Sequence, residues 1–124
     1  MLLVEDNPDH AFLARVALQK RPEIGEVEVC EDAGSTRERL SRDPLPDAIL
    51  MDLRLPGEGG LELLSSVRQE PRTRDLPVVV LSTSPRESEI SQSLAMGASG
   101  YLTKPIDVDA FLARIEAAAH VLAG

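Results

Sequence analysis

Tryptophan is missing from this chain of 124 residues, and other aromatics nearly so: Phe12, Phe111 and Tyr101 are the whole set. The core must therefore be aliphatic, and little is left to sandwich a flat cofactor. Cysteine is as scarce. Cys30 stands alone, which excludes an internal disulfide and a Cys-rich zinc site and suits a reducing cytoplasm. No apolar run approaches the roughly 20 residues of a membrane span, and the opening "MLLVED" reads as a strand rather than a signal peptide. Clustered positive charge is lacking too. A net charge of −8 argues against a nucleic-acid surface, which gathers Lys and Arg against phosphates. The expected partners are proteins or a bound cation, with neither nucleic acid nor membrane. What is present, 43% hydrophobic and 27% charged residues, suffices for one core and one domain over 1–124.

Along the chain, apolar runs alternate with segments of helical period, without repeats or linkers. Strands are expected at "MLLVE" (1–5), "EVEVC" (26–30), "DAILMD" (47–52), "LPVVVLS" (76–82) and "GYLTK" (100–104). Helices are expected at 8–21, with Pro8 at the start and Phe12, Leu13, Val16 and Ala17 on one face; at 34–43, capped by Ser35 or Thr36; and at 61–70 after a Gly-rich turn. Two more follow at 86–97, closed by Gly97 at C′, and at 107–124, capped by Asp107 or Asp109. Five strands alternating with five helices imply an α/β fold, a doubly wound parallel sheet with helices on both faces.

Ligands of such sheets bind at the carboxyl ends of the strands. Strand one ends in Glu5, Asp6 and Asn7, strand three in Asp52, strand four in Ser82 and Thr83, and strand five in Thr103, Lys104 and Pro105. Three carboxylates at one edge repel one another, and a divalent cation relieves that repulsion. Mg²⁺ suits the set: it prefers carboxylate oxygens and keeps positions for waters and a phosphate. Asp52, so screened, is available as a nucleophile towards phosphorus. Ser82 can donate to one phosphoryl oxygen and Lys104 can pair with another, an electrostatic clamp of the kind phosphoryl transfer needs.

These residues resemble a known family. "LLVEDNP", "ILMDLRLPG", "VVVLST" and "GASGYLTKP" are similar to the motifs of receiver domains in bacterial two-component response regulators, over essentially the whole chain. The motifs come in order, with 30 positions from Asp52 to Ser82 and 22 from Ser82 to Lys104. The resemblance implies a flavodoxin-like (β/α)5 fold with strand order 2-1-3-4-5. It implies that Asp52 accepts a phosphoryl group from a histidine kinase or a histidine phosphotransfer protein, forming an aspartyl phosphate. Glu5, Asp6, Asp52 and the backbone carbonyl of Arg54 would hold Mg²⁺. Ser82 would be the switch hydroxyl, Tyr101 the switch aromatic and Lys104 the phosphoryl contact, with a cis Lys104–Pro105 bond. Apart from its own phosphorylation and dephosphorylation, such a protein is not an enzyme.

The chain departs from the pattern in three places. Its first strand lacks a residue or two ahead of "LLVED", which implies a longer or trimmed natural N-terminus. Arg54 puts a long cation two residues past the acceptor, and Thr83 a branched side chain after the switch hydroxyl. Both would hinder hydrolytic water and lengthen the life of the phosphoaspartate. "LSTS" and the Pro-rich third connection are most similar to single-domain regulators paired with bacterial phytochromes. With no effector domain expected, output would come by binding a partner, by relaying phosphate or by feeding back on the kinase; residues 86–119 would be the readout surface and would also serve a homodimer. The exposed part of helix one would dock the kinase.

Blander functions compete at several residues. An aspartyl phosphohydrolase needs a second acid where Arg54 stands. A flavodoxin-like cofactor module needs a glycine- and hydroxyl-rich loop in place of "EDNPD". A pseudo-receiver that acts only as a binding platform stays open as a third reading, although nothing missing from the acid set supports it. "GEGG" (57–60) lacks the Lys-Ser/Thr of a P-loop and reads as a flexible turn. Cys30 reads as a packing residue, and His10 and His120 as solvated helix positions.

Overall fold

The computed structural model describes residues 1–20, 22, 24–55, 59–82, 86–103, 109, 110 and 113. Its order is β1 (Leu2–Val4), α1 (Pro8–Gln19), β2 (Glu28–Cys30), α2 (Ala33–Leu40), β3 (Ile49–Asp52), α3 (Gly60–Gln69), β4 (Val78–Ser82), α4 (Glu87–Ala95) and β5 (Gly100–Thr103). All pairings are parallel and the sheet order is β2-β1-β3-β4-β5, the flavodoxin-like order that the motifs implied. Four helices are described against the five expected. Of the fifth, Asp109, Ala110 and Ala113 are helical and the remainder lies outside the described residues.

The strands are short, so nearly every residue of β1, β3 and β4 is closed off on both faces. Leu2 and Val4 join Ile49, Met51, Val78 and Val80 on the face covered by α2 and α3. Leu3, Leu50, Val79 and Leu81 join Ala11, Ala14, Ala17 and Leu18 of α1 on the other. Strict alternation along each strand sorts the two clusters. Helix α1 therefore turns a different face inward from the one its larger apolar residues suggested. Phe12 and Val16 are exposed, and the buried stripe is mostly alanine. Small side chains let the helix lie close to the sheet, and that proximity outweighs the larger apolar area Phe12 would bury.

The helix ends also have local causes. Asn7 caps α1, its side chain accepting from the amides of Asp9 and His10 at 3.0 and 3.2 Å, with Pro8 in the first turn. Helix α2 is capped by Asp32 instead of Ser35 or Thr36. Asp32 Oδ1 accepts from the Ser35 amide and from the Ser35 hydroxyl, both at 2.7 Å. These bonds hold the Asp32 carboxyl below its ordinary pKa. Gly97 follows α4 with a φ of 106°, a left-handed conformation that glycine adopts without strain. Arg68 on α3 reaches three backbone carbonyls: Nε donates to Gly97 at 2.8 Å, and Nη1 to Arg74 and Leu76 at 3.0 and 2.6 Å. It ties the end of α3 to the lead into β4 and to the turn after α4.

Candidate functional site

The carboxyl ends of β1, β3 and β4 lie side by side, because β1 and β4 both flank β3. Glu5 and Asp6 follow β1, Asp52 closes β3, and Ser82 closes β4. One carboxylate oxygen from each of Glu5, Asp6 and Asp52 lies within 4.8 Å of the others. Glu5 and Asp52 are only 2% and 6% exposed, while Asp6 faces solvent. Buried like charges at this spacing repel, and a hard divalent cation with oxygen preference fits the donor set and its open side.

The backbone holds this cluster in place. The Asn7 amide donates to Glu5 Oε2 at 3.2 Å, and the Arg54 amide donates to Asp52 Oδ1 at 2.9 Å. The residue whose carbonyl was expected to join the metal is thus anchored on the Asp52 carboxylate itself. Gly60 secures the same turn from below. Its amide donates to the Leu53 carbonyl at 2.9 Å, and a Cβ there would come within 2.6 to 2.7 Å of the Leu53 and Asp52 carbonyl oxygens. The last glycine of "GEGG" is therefore a point of tight packing, not merely a flexible link.

Ser82 is fully buried. The register pairs Asp52 with Leu81 and Ser82 with Thr103, so the hydroxyl sits one position further out on the strand beside Asp52. Tyr101 pairs with Val80, two residues before Ser82, which puts it on the same sheet face one pleat behind. It is half-buried against the cluster under α2 and α3. Lys104, Thr83 and the Lys104–Pro105 bond lie outside the described residues.

Sequence reasoning missed two neighbours of the site. His10 Nδ1 lies 3.9 Å from Glu5 Oε1, so this histidine borders the acid cluster and is not simply solvated. Its position one turn into α1 was the available signal. Arg54 Nη2 donates to Glu89 Oε1 on α4 at 3.2 Å, and nothing local in the sequence announces a pair 35 positions apart. Cys30 behaves as expected: burial pushes its thiol above the ordinary range, which makes it a poor nucleophile.

A sheet of this order with two buried acids and a buried hydroxyl at its mouth has known counterparts. Residues 1–116 match the response regulator receiver domain family. The chain belongs to that family. Protein PilH of Pseudomonas aeruginosa is 31% identical over 124 residues, covering 100% of this chain and 98% of PilH. The Mn²⁺-bound response regulator Rcp1 superposes with a TM-score of 0.88 at 29% identity, over 94% of this chain and 88% of Rcp1. The phosphorylated cyanobacterial phytochrome response regulator RcpA gives 0.87 at 31% identity, over 94% and 87%. The chain spans about half the length of several transcriptional regulators that it also matches. Receiver domains are phosphoacceptors of two-component signalling and interact with histidine kinases or phosphotransfer proteins, so this receiver is a response-regulator component. No helix among the described residues is long and apolar enough to cross a membrane.

Proposed function

We propose that Asp52 is the phosphoacceptor and that Mg²⁺, held by Glu5, Asp6, Asp52 and the Arg54 carbonyl, is required for the transfer. The observation that carries this is the convergence of the three carboxylates at the mouth of β1 and β3. Bound there, Mg²⁺ would supply positive charge against both the acid cluster and an incoming phosphoryl group. The remaining steps belong to the chain. An Asp52 carboxylate oxygen attacks phosphorus, an O–P bond forms, the P–N bond of the donor phosphohistidine breaks, and its electron pair returns to the imidazole. The Arg54 amide on Oδ1 orients the carboxylate. Ser82 donates to a phosphoryl oxygen, and Lys104 pairs with another.

The signal then passes to α4, β5 and the segment that follows, residues 86–119, through Ser82 and Tyr101. Their shared sheet face supports that pairing. The partner is a sensor histidine kinase or a histidine phosphotransfer protein in the cytoplasm, docking on α1, where Phe12 and Val16 are exposed. Output comes through protein contact on the 86–119 face, where a second copy would also bind. The protein turns over no other substrate.

Incubation with acetyl phosphate, with and without Mg²⁺, tests this by intact mass. One phosphoryl group should be gained only with the metal, and none by Asp52→Asn. An equal gain in Asp52→Asn would place the acceptor elsewhere.

A further inference from the structure

Arg54 is rooted beside the acceptor, yet its guanidinium is engaged at a distance. Its amide lies 2.9 Å from Asp52 Oδ1, while Nη2 crosses the mouth of the sheet to Glu89 Oε1 at 3.2 Å. The two partners are unequally placed. The arginine side chain is 63% exposed and the glutamate 23%, so the cation can swing while the carboxylate is held on α4. Glu89 Oε2 is buried and has no hydrogen-bond partner among the described residues. Among the described residues, Arg54 is the cation paired with that carboxylate, through Oε1. Both line a cleft of about 270 Å³ together with Glu62, Gly59 and Gly60.

Phosphorylation changes the competition for this guanidinium. On the reading that Asp52 is the acceptor, a phosphoryl group brings added negative charge and three strong acceptors to the root of Arg54. Arginine binds such oxygens through a planar fork of donors. Glu89 offers one singly charged carboxylate in a partly wet cleft. We propose that Glu89 is a positioning residue: it competes with the phosphoryl group for the Arg54 guanidinium, shortens the phosphoryl lifetime by drawing that cation away, and couples the outcome to α4. When Arg54 moves to the phosphoryl group, its bulk obstructs hydrolytic water and the Arg54–Glu89 hold on α4 is lost. The coupling is reciprocal, as for any two ligands of one group.

The test is a double-mutant cycle on the rate of phosphoryl loss, measured by intact mass after loading with acetyl phosphate and Mg²⁺ and then removing the donor. Glu89→Gln, nearly isosteric, should lengthen the lifetime roughly two- to fivefold, the range set by a partly exposed ion pair. In an Arg54→Ala background the same substitution should change nothing. Glu62→Gln, in the same cleft, should leave the lifetime at the parent value. An unchanged lifetime in Glu89→Gln, or an equal change with and without Arg54, would overturn the inference while leaving the acceptor assignment intact. Failure of the parent to load, or equal loading of Asp52→Asn, would instead overturn the assignment and the inference with it. Amide exchange separates a positioning role from simple misfolding: Glu89→Gln should loosen α4 before phosphorylation and leave β3 protected.

Discussion

The proposed acceptor side of the molecule and its proposed output side are built differently. Every residue of β3 and β4 is buried, and α3 buries Gly60, Leu63, Leu64 and Val67. Across the sheet, every residue of β5 is only half-buried, and α4 buries Ser93 alone while leaving Leu94 47% exposed. Among the described residues, the fastenings of α4 include two polar ones: the Arg68 bond to Gly97 at its end and the Arg54–Glu89 pair in its first turn. Apolar burial is insensitive to a change of charge, but ion pairs and hydrogen bonds to charged groups are not. On the proposed function, a phosphoryl group at Asp52 would therefore meet a rigid floor and a helix whose fastenings it could redirect. Elements with few buried apolar contacts open at the lower end of a protein's stability range.

The contrast breaks most visibly in the core. Leu63→Ala, at a fully buried position of α3, should cost about 2–5 kcal/mol in urea unfolding. Leu94→Ala on α4 should cost about 0.5 kcal/mol or less. Similar losses at both positions would mean that α4 is packed as firmly as α3. Gly60→Ala comes next. A methyl group 2.6 Å from the Leu53 carbonyl forces backbone apart, and a loss of about 2 kcal/mol is expected together with slower phosphoryl uptake. Full stability with normal uptake would show that the turn under Asp52 yields.

The smallest effect lies at the far edge of the acceptor side. The Arg39 guanidinium donates to Glu28 at 2.8 and 3.1 Å, and this bonding holds the Glu28 carboxyl below its ordinary pKa. A carboxyl lowered in the folded state adds stability above its unfolded pKa and loses it as pH falls through the folded one. Glu28 is 47% exposed, so salt and water reduce the contribution to about 0.5 kcal/mol or less. The stability difference between the parent and Glu28→Gln should be present near neutral pH and vanish in acid. A difference that persists in acid would assign it to packing.

The architecture was legible because strand burial is written in unbroken runs such as "VVVL", and the acids of the site because they end those runs. Residues whose roles depend on proximity were less legible. The packing of Ala11, Ala14 and Ala17 follows from how closely α1 approaches the sheet, which side-chain size disguises. Asp32 displaced Ser35 as the cap because its carboxylate accepts from both the Ser35 amide and its hydroxyl. Gly60 looked like slack in a loop until the Asp52 and Leu53 carbonyls were placed against it. The Arg54–Glu89 pair joins the segment after β3 to helix α4, which only the β3–β4 register brings together. Periodicity carries no information of that kind.

Hydrogen exchange of the parent, with and without acetyl phosphate and Mg²⁺, tests most directly whether charge gained on the rigid side is read on the yielding one. Exchange should change in α4 and β5, between Glu87 and Thr103, while β3 and α3 stay protected. Confirmed phosphorylation with α4 and β5 unchanged, or with the change confined to α2 and α3, would contradict the account.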